Sequence, residues 1–565
     1  MTAYKTLIVT LIWLLCGLVC SARGLNYVLS PPLKVNETGW NKVLCMKNGN
    51  TVLFHFEPAK KIMVKVFDST HKEIATRKDR YKLLDIFLVH YSVFKGLYDI
   101  NGDAVLFIDQ DQRGKHRLIM LRYNATTGKL IEERLVGESK SENRRIKFYV
   151  MKNKEDDNYE ILFCMDKRHP KQSDIYMVYF NKLHQAIREV QLEVERKKYD
   201  YLNVIGAESQ PNGVLITLAL DKAIVYSRAT NFDVELFAKS DHDSALQAGS
   251  SMYEHFVSWY YFPKEDSGVR RNTVDVSEAV YPYKGIYTYN AFARSVNLLV
   301  YNYKPVYYRF GLDEYYGAIS SDLLFNVDEQ DMGAIIRTVR PPRRNGSGRI
   351  KIDSTSLAMG IPVKMFTNTN GLTTILSQTC ERHGELETNV LYDYQDYFGD
   401  IVVSQIDDTG KEIWSTSLPM AQYYKSNTAY LDEGQFCTRW QEQVIFGDLP
   451  EQVYNRQFLS FNSISYGKDI FIIANDYNRN IANTVYGKVD TVYGFEKTNA
   501  FYYKIDKKKE VTKMFLYSED INNKWLSSFV EGACFDEQRG MYVSLVRQHK
   551  HSGKNSLHMA WSSLQ

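Results

Sequence analysis

Five hairpins recur along this chain, the first three at a near-constant step, and that rhythm limits the fold more than any single motif does. They lie at 64–77 (VKVFDSTHKEIATR), 120–134 (MLRYNATTGKLIEER), 177–192 (MVYFNKLHQAIREVQL), 399–420 (GDIVVSQIDDTGKEIWSTSLPM) and 501–516 (FYYKIDKKKEVTKMFL). Each has alternating apolar residues, a polar turn opened by Asp or Asn, and a second run in which a charged residue stands next to an aliphatic one. Period-two alternation broken by a short polar turn is the pattern of a hairpin packed into a sheet. Asp or Asn opens the turn because its side chain can bond the backbone two residues on and tolerates a left-handed backbone.

The turn openers are Asp68, Asn124, Asn181, Asp407 and Asp506. The first two steps are 56 and 57 residues, and the 226 residues from Asn181 to Asp407 match four steps of about 56. The last interval, 99 residues, reads as one step plus an insertion near 421–457, a stretch rich in Tyr, Gln and Asn. Further strands precede each hairpin (NTVLFHFE, DAVLFIDQ, YEILFCMD, LTTILSQT, KDIFIIAND), so a unit holds four strands. Eroded copies stand at 213–228 and 295–310, and the C-terminal GMYVSLVRQ…SLHMAWSSL supplies the last.

An isolated four-stranded sheet exposes two faces and two edges. Radial packing buries the faces against neighbouring sheets and leaves only short edges. The expected fold is therefore all-β: a β-propeller of four-stranded antiparallel blades, seven of them, with eight as the other count the repeat allows. The 41 Tyr and 28 Phe suit such blades, because a tyrosine can bury its ring and keep its hydroxyl wet at a rim. Ring closure is expected to use LNYVLSPP (25–32), paired with the final strands.

Residues 1–24 have the charged start, apolar run and small-residue end of a secretory signal. A lipid anchor on Cys20 would want a small residue before it, and Val19 stands there. The expectation is an exported chain (periplasmic, cell-surface or secreted) whose residues 25–565 form a single propeller domain. No later stretch reaches the roughly 20 apolar residues of a membrane helix, and 70 basic against 67 acidic side chains give no field for nucleic acid or an anionic membrane. Cys45, Cys164, Cys380, Cys437 and Cys534 remain after the signal, without paired spacing. They read as small buried thiols, although an oxidising compartment would allow one or two disulfides; there is no CxxC pair to hold zinc.

Two surfaces stand out as binding candidates. Arg340, Arg343, Arg344 and Arg349 sit on a Pro- and Gly-rich loop and could grip carboxylates or an anionic glycan through paired hydrogen bonds. The aromatic runs SWYYFP, with Trp259 and Tyr260, and YDYQDYFGD, with Tyr392 and Tyr394, could stack on sugar faces; packing within blades is the competing reading. The DQDQRG stretch at 109–114 has part of a calcium loop but lacks its third carboxylate, and reads as a hairpin turn. Asp241-His242-Asp243 and His549-Lys550-His551 place neighbouring ligands on opposite faces of a strand, so no metal site and no cofactor is expected. The chain has no Gly-x-Ser-x-Gly elbow, HExxH or phosphate loop. Asp396 and Asp400 are the carboxylates that could flank a glycosidic bond.

At DIVVSQIDDTGKEIWSTSLPMAQ and FLSFNSISYGKDIFIIANDYNRN the chain resembles a group of uncharacterised exported β-propeller-like proteins of Bacteroidota-type bacteria, through Gly410, Trp414, Pro419, Gln422, Asn475, Asp476 and Asn480. The resemblance covers the last third and implies fold and export, with no activity attached. The functional expectation is a binding module for a protein or glycan partner on one propeller face. The second reading is a glycan hydrolase or lyase with its site in the central channel.

Overall fold

The computed structural model describes residues 25–564 except 85–91, 140–144, 167–174, 224–252, 277–283, 340–360, 387–391, 427–442, 447–454, 483–488, 518–523 and several turns of one to four residues. Its strands form eight antiparallel blades, the larger of the two counts the repeat allows. In chain order they occupy 40–78, 92–138, 145–191, 201–275, 284–339, 361–418, 461–515 and 524–563. Within a blade the strands pair in sequence order, and the eighth takes its outermost strand from the N-terminus. There Tyr27, Val28 and Leu29 face Ser562, Trp561 and Ala560, the closure expected for this segment.

Apolar residues on both faces of each blade pack against the two neighbouring blades. Phe54 and Ile119 join blades one and two, Phe107 and Phe148 blades two and three, and Leu162 and Ile216 blades three and four. Leu215 and Leu298 join four and five, Leu299 and Ile375 five and six, and Leu376 and Ile472 six and seven. Ile473 and Val546 join seven and eight. Phe67 then meets Trp561, 5.4 Å between ring centroids, and closes blade eight onto blade one. Each such buried side chain contributes roughly 1.5–3 kcal/mol, and together they hold the ring.

The recurring turns share one geometry. Asp68 Oδ1 accepts the backbone N–H of Thr70 and Lys72 at 2.8 and 3.1 Å. Asn181 Oδ1 repeats this with Leu183 and Gln185, and Asp506 with Lys508 and Glu510. One residue per turn takes a left-handed backbone: His71 at φ 68°, Gly128 at 65°, His184 at 61° and Lys509 at 67°. Asp328 opens a sixth copy, with Met332 at φ 60°. That copy corrects the step arithmetic: Asn181 and Asp407 are separated by three blade steps, not four. The extra length lies at 224–252, at 340–360 and in the long strands of blades five and six.

Because successive strands are antiparallel, the first-to-second and third-to-fourth turns share one face of the ring. The second-to-third and fourth-to-first connections share the other, called here the looped face. On it the Ser295–Phe310 and Asp313–Asp328 strands run on past their blade, as do Thr373–Leu386 and Tyr392–Ile406. These extensions pair sideways, Asp313–Gly317 with 381–385, and the Gln422–Ser426 strand adds to Tyr394–Phe398. The connection from blade six to blade seven then reaches across the ring, because Gln443–Phe446 pairs with Ser92–Phe94 of blade two. It returns through a 3-10 turn at Asn455–Phe458.

Candidate functional site

On the looped face three tyrosines form a ledge between blades six and seven. Tyr397 stands opposite Tyr423 in register, with ring centroids 5.0 Å apart, and Tyr423 lies 5.2 Å from Tyr493. Backbone bonds hold the two segments together: Tyr423 N–H donates to Val492 O and Val492 N–H to Ala421 O, both at 2.9 Å. Tyr493 is 56% exposed. Beside it, the Arg479 guanidinium lies 4.8 Å over the Tyr477 ring and pairs with Asp490 at 2.5 Å.

A buried bracket supports the ledge. Lys513 Nζ pairs with Asp476 Oδ2 at 2.8 Å and also donates to Asn480 O at 3.0 Å. Asn480 Nδ2 donates to Asp476 Oδ1 at 2.6 Å and to Asp490 O at 2.9 Å, and its Oδ1 accepts Asp490 N–H. The rings of Phe501 and Tyr503 lie 5.5 and 5.0 Å from the ammonium. A buried pair this well satisfied fixes geometry more than it adds stability. The edge is thus formed by 421–424 and by the described residues 477–482 and 489–493, positioned by buried polar bonds, with Tyr493, Arg479 and Asp490 at its surface.

Several residues that carry the resemblance belong to this framework. Asn475 Nδ2 donates to Phe458 O and Ser528 O, and Gln422 Nε2 to Asn475 O. Gln422 Oε1 accepts the N–H of Ser460, whose hydroxyl donates to Gln378. Pro419 O accepts the Tyr503 hydroxyl at 2.7 Å. Their roles are structural, and Gly410 lies outside the described residues.

The residues singled out from the sequence fall elsewhere. Trp259 is wholly buried between blades four and five, edge-on to Phe325, with Nε1 donating to Met332 O. Tyr260 is buried against blade three. Both are packing residues, as the competing reading of this run had it, and neither offers the stacking surface that the binding reading needs. Arg340, Arg343, Arg344 and Arg349 lie outside the described residues. Tyr392 and Tyr394 are placed on a looped-face strand by their backbone, Tyr394 opposite Ser426. Asp400 accepts Met420 N–H at 3.1 Å and the Ser417 hydroxyl at 3.4 Å, so it fixes the end of its blade. Asp109 lies in a strand with its carboxylate 3.5 Å from Lys95 and 3.4 Å from His116. Asp241, His242, Asp243 and His551 lie outside the described residues, and His549 Nδ1 meets Asn555 Oδ1 at 2.9 Å.

One buried carboxyl was not foreseen. Glu160, 2% exposed, lies between blades three and four near the opposite face, below a Lys264–Asp156 pair at 2.8 Å. Burial pushes it up to about 7, against the pull of the Ser209 hydroxyl and Lys264. Carboxyls tuned to neutral pH serve as general acids where substrate can reach them; this one is enclosed by its two blades.

The fold defines the chain as an eight-bladed β-propeller. No family model matches it, and no curated protein does. Among solved structures it is similar to the WD40 domain of SCAP from fission yeast, at 11% identity and a TM-score of 0.33, over 95% of this chain and 98% of that one. It is similar to polysaccharide lyase Uly1 at 10% and 0.36, over 95% and 100%. It is likewise similar to an oligogalacturonate lyase in complex with manganese at 8% and 0.33, over 96% and 99%. Identities this low leave function to the residues of the chain itself.

Proposed function

We propose that the protein is an exported binding module that holds its partner on the looped face, with the Tyr397–Tyr423–Tyr493 ledge as the contact. The observation that carries this reading is the ledge itself: the exposed Tyr493 ring and the half-buried Tyr423 and Tyr397 rings in line with it, beside an Arg479–Asp490 pair and held in place by the buried Lys513–Asp476–Asn480 bracket. The connection reaching across the ring to blade two supports a binding face over an open channel. A glycan fits the chemistry best. Tyrosine rings present flat apolar faces to the C–H side of a sugar, and an exposed guanidinium and carboxylate can hydrogen-bond its hydroxyls or acid groups.

A glycan array probed with the chain 25–565 tests the reading. Binding is expected to be carried by the ledge and lost in Tyr423→Ala and Tyr493→Ala at unchanged unfolding midpoint. Glycan binding that survives both substitutions, or a ledge-dependent protein partner with no glycan bound, would replace it.

A further inference from the structure

The seam where blade eight meets blade one holds two cysteines that the sequence keeps 489 positions apart. Cys45 ends the innermost strand of blade one, Trp40–Cys45, and Cys534 begins a short strand, Cys534–Asp536, on blade eight. The segment before Cys534 runs along the Trp40–Cys45 strand. Val43 N–H donates to Gly532 O at 2.8 Å, and Lys42 Nζ to Glu531 O at 3.2 Å. The approach is so close that a Cβ on Gly532 would stand 2.4 Å from Asn41 O. Cys45 N–H donates to Cys534 Sγ at 3.3 Å, which sets the two cysteines side by side across the seam. Both are partly exposed, whereas Cys164 is buried in the core of blades three and four.

We propose that Cys45 and Cys534 form a disulfide that locks the first blade to the last. The pairing goes beyond the binding reading and does not depend on it. The two thiols are unequal: hydrogen bonding from Cys45 and the nearby Lys42 ammonium lower Cys534, while Cys45 is raised. Cys534 is therefore the first nucleophile. Its thiolate attacks a low-molecular-weight disulfide such as oxidised glutathione, forming a mixed disulfide and releasing one thiolate. Cys45, losing its proton to solvent, attacks the Cys534 sulfur and displaces the second. Two electrons pass to the oxidant, which leaves as two thiols, and one S–S bond remains in the chain.

The location gives the bond a consequence. A ring closed by strand pairing alone opens wherever its ends separate, and a cross-link between distant residues restricts the unfolded chain most. The test is peptide mapping of the full chain, incubated with oxidised glutathione, alkylated with iodoacetamide and digested without reductant. A linked peptide containing Cys45 and Cys534 is expected, lost on adding dithiothreitol. The thermal midpoint of the oxidised chain should fall by several degrees with reductant, and that of a Cys45→Ser/Cys534→Ser chain should not respond. Alkyl label on both residues after oxidation would overturn the proposal, as would linkage of either one to Cys164, Cys380 or Cys437. The mapping uses the natural sequence, so it stands even if the variant folds poorly.

Discussion

Gln457 and Asn41, 416 residues apart, are joined by two hydrogen bonds. The Asn41 backbone N–H and side-chain Nδ2 both donate to Gln457 Oε1, at 2.7 and 3.3 Å. Gln457 Nε2 donates to Gly39 O at 2.8 Å. This contact ties the end of the long connection from blade six onto the innermost strand of blade one. Gln457→Leu keeps most of the volume but takes the acceptor from the buried Asn41 N–H and leaves Gly39 O with Asn41 Nδ2 at 3.2 Å as its remaining donor. It should cost about 2 kcal/mol or more, read as a lower urea midpoint at unchanged m-value.

The same network leads to a pH response. Asn41 Oδ1 accepts His55 Nδ1–H at 2.7 Å, and His55 Nε2 is buried without a partner. Burial lowers His55 from 6.5 to about 4, and raises Glu160 from 4.5 to about 7. Between about pH 4 and 6.5 the unfolded chain binds a proton at His55 that the folded chain does not, so this group makes stability rise with pH. Between about 4.5 and 7 the folded chain keeps the Glu160 proton longer, so that group makes stability fall as pH rises. Each contribution is on the order of 3 kcal/mol, and the two oppose one another. Glu160→Gln should therefore gain on the natural chain as pH goes from about 4.5 to 7. Urea unfolding at three pH values reads this, and parallel profiles would contradict it.

Removing one partner of the buried bracket under the ledge should be severe. In Lys513→Met the Asp476 carboxylate is left without its cation; the Lys513 side chain is 0% exposed in the intact protein. The expected loss is about 3–5 kcal/mol, with faster amide exchange over 477–493. Much of the loss should return in a Lys513→Met/Asp476→Leu chain, which no longer buries an unpaired charge.

Tyr493→Ala tests the ledge without touching its foundation. An exposed ring contributes little to folding, so the unfolding free energy should stay within about 0.5 kcal/mol of the natural chain's. Partner affinity should fall about tenfold or more, the scale of an aromatic contact residue at an interface. Equilibrium binding to whichever array ligand the natural chain retains supplies the measurement.

The legible parts of the fold were those written locally. Asp68, Asn124, Asn181, Asp407 and Asp506 announced their turns because their side chains cap backbone donors within four residues. The fourth blade's third strand, Tyr253–Pro263, is followed by Lys264 where the other turns have Asp or Asn, and the added length at 224–252 and 340–360 let the interval from Asn181 to Asp407 be divided wrongly. Trp259 and Tyr260 show the limit of alternation. In a two-layer protein one face of a strand meets water, but in a propeller both faces meet a neighbouring blade, so Trp259 packs toward blade five and Tyr260 toward blade three. The sideways pairing of 313–317 with 381–385 has the same residue pattern as strands inside a blade, and only tertiary structure separates them. Tyr423 and Tyr493 were missed because neither lies in an alternating apolar run and 70 residues separate them; they meet through backbone bonds between 421–423 and 492.

Everything rests on a ring closed by the N-terminal strand, and one substitution tests that most directly. Ser30 N–H donates to Met559 O and Ser563 N–H to Asn26 O, both at 2.9 Å, which makes Val28 and Trp561 a hydrogen-bonded pair between them. Val28 is 46% exposed, so Val28→Pro removes a backbone donor and distorts the strand with little loss of core. Hydrogen exchange on this variant should accelerate over 556–563 and also in blade one around Thr51, which accepts the Trp561 indole N–H, and the unfolding midpoint of the whole chain should drop. Acceleration confined to 25–30 with an unchanged midpoint would mean that the ring does not depend on this closure.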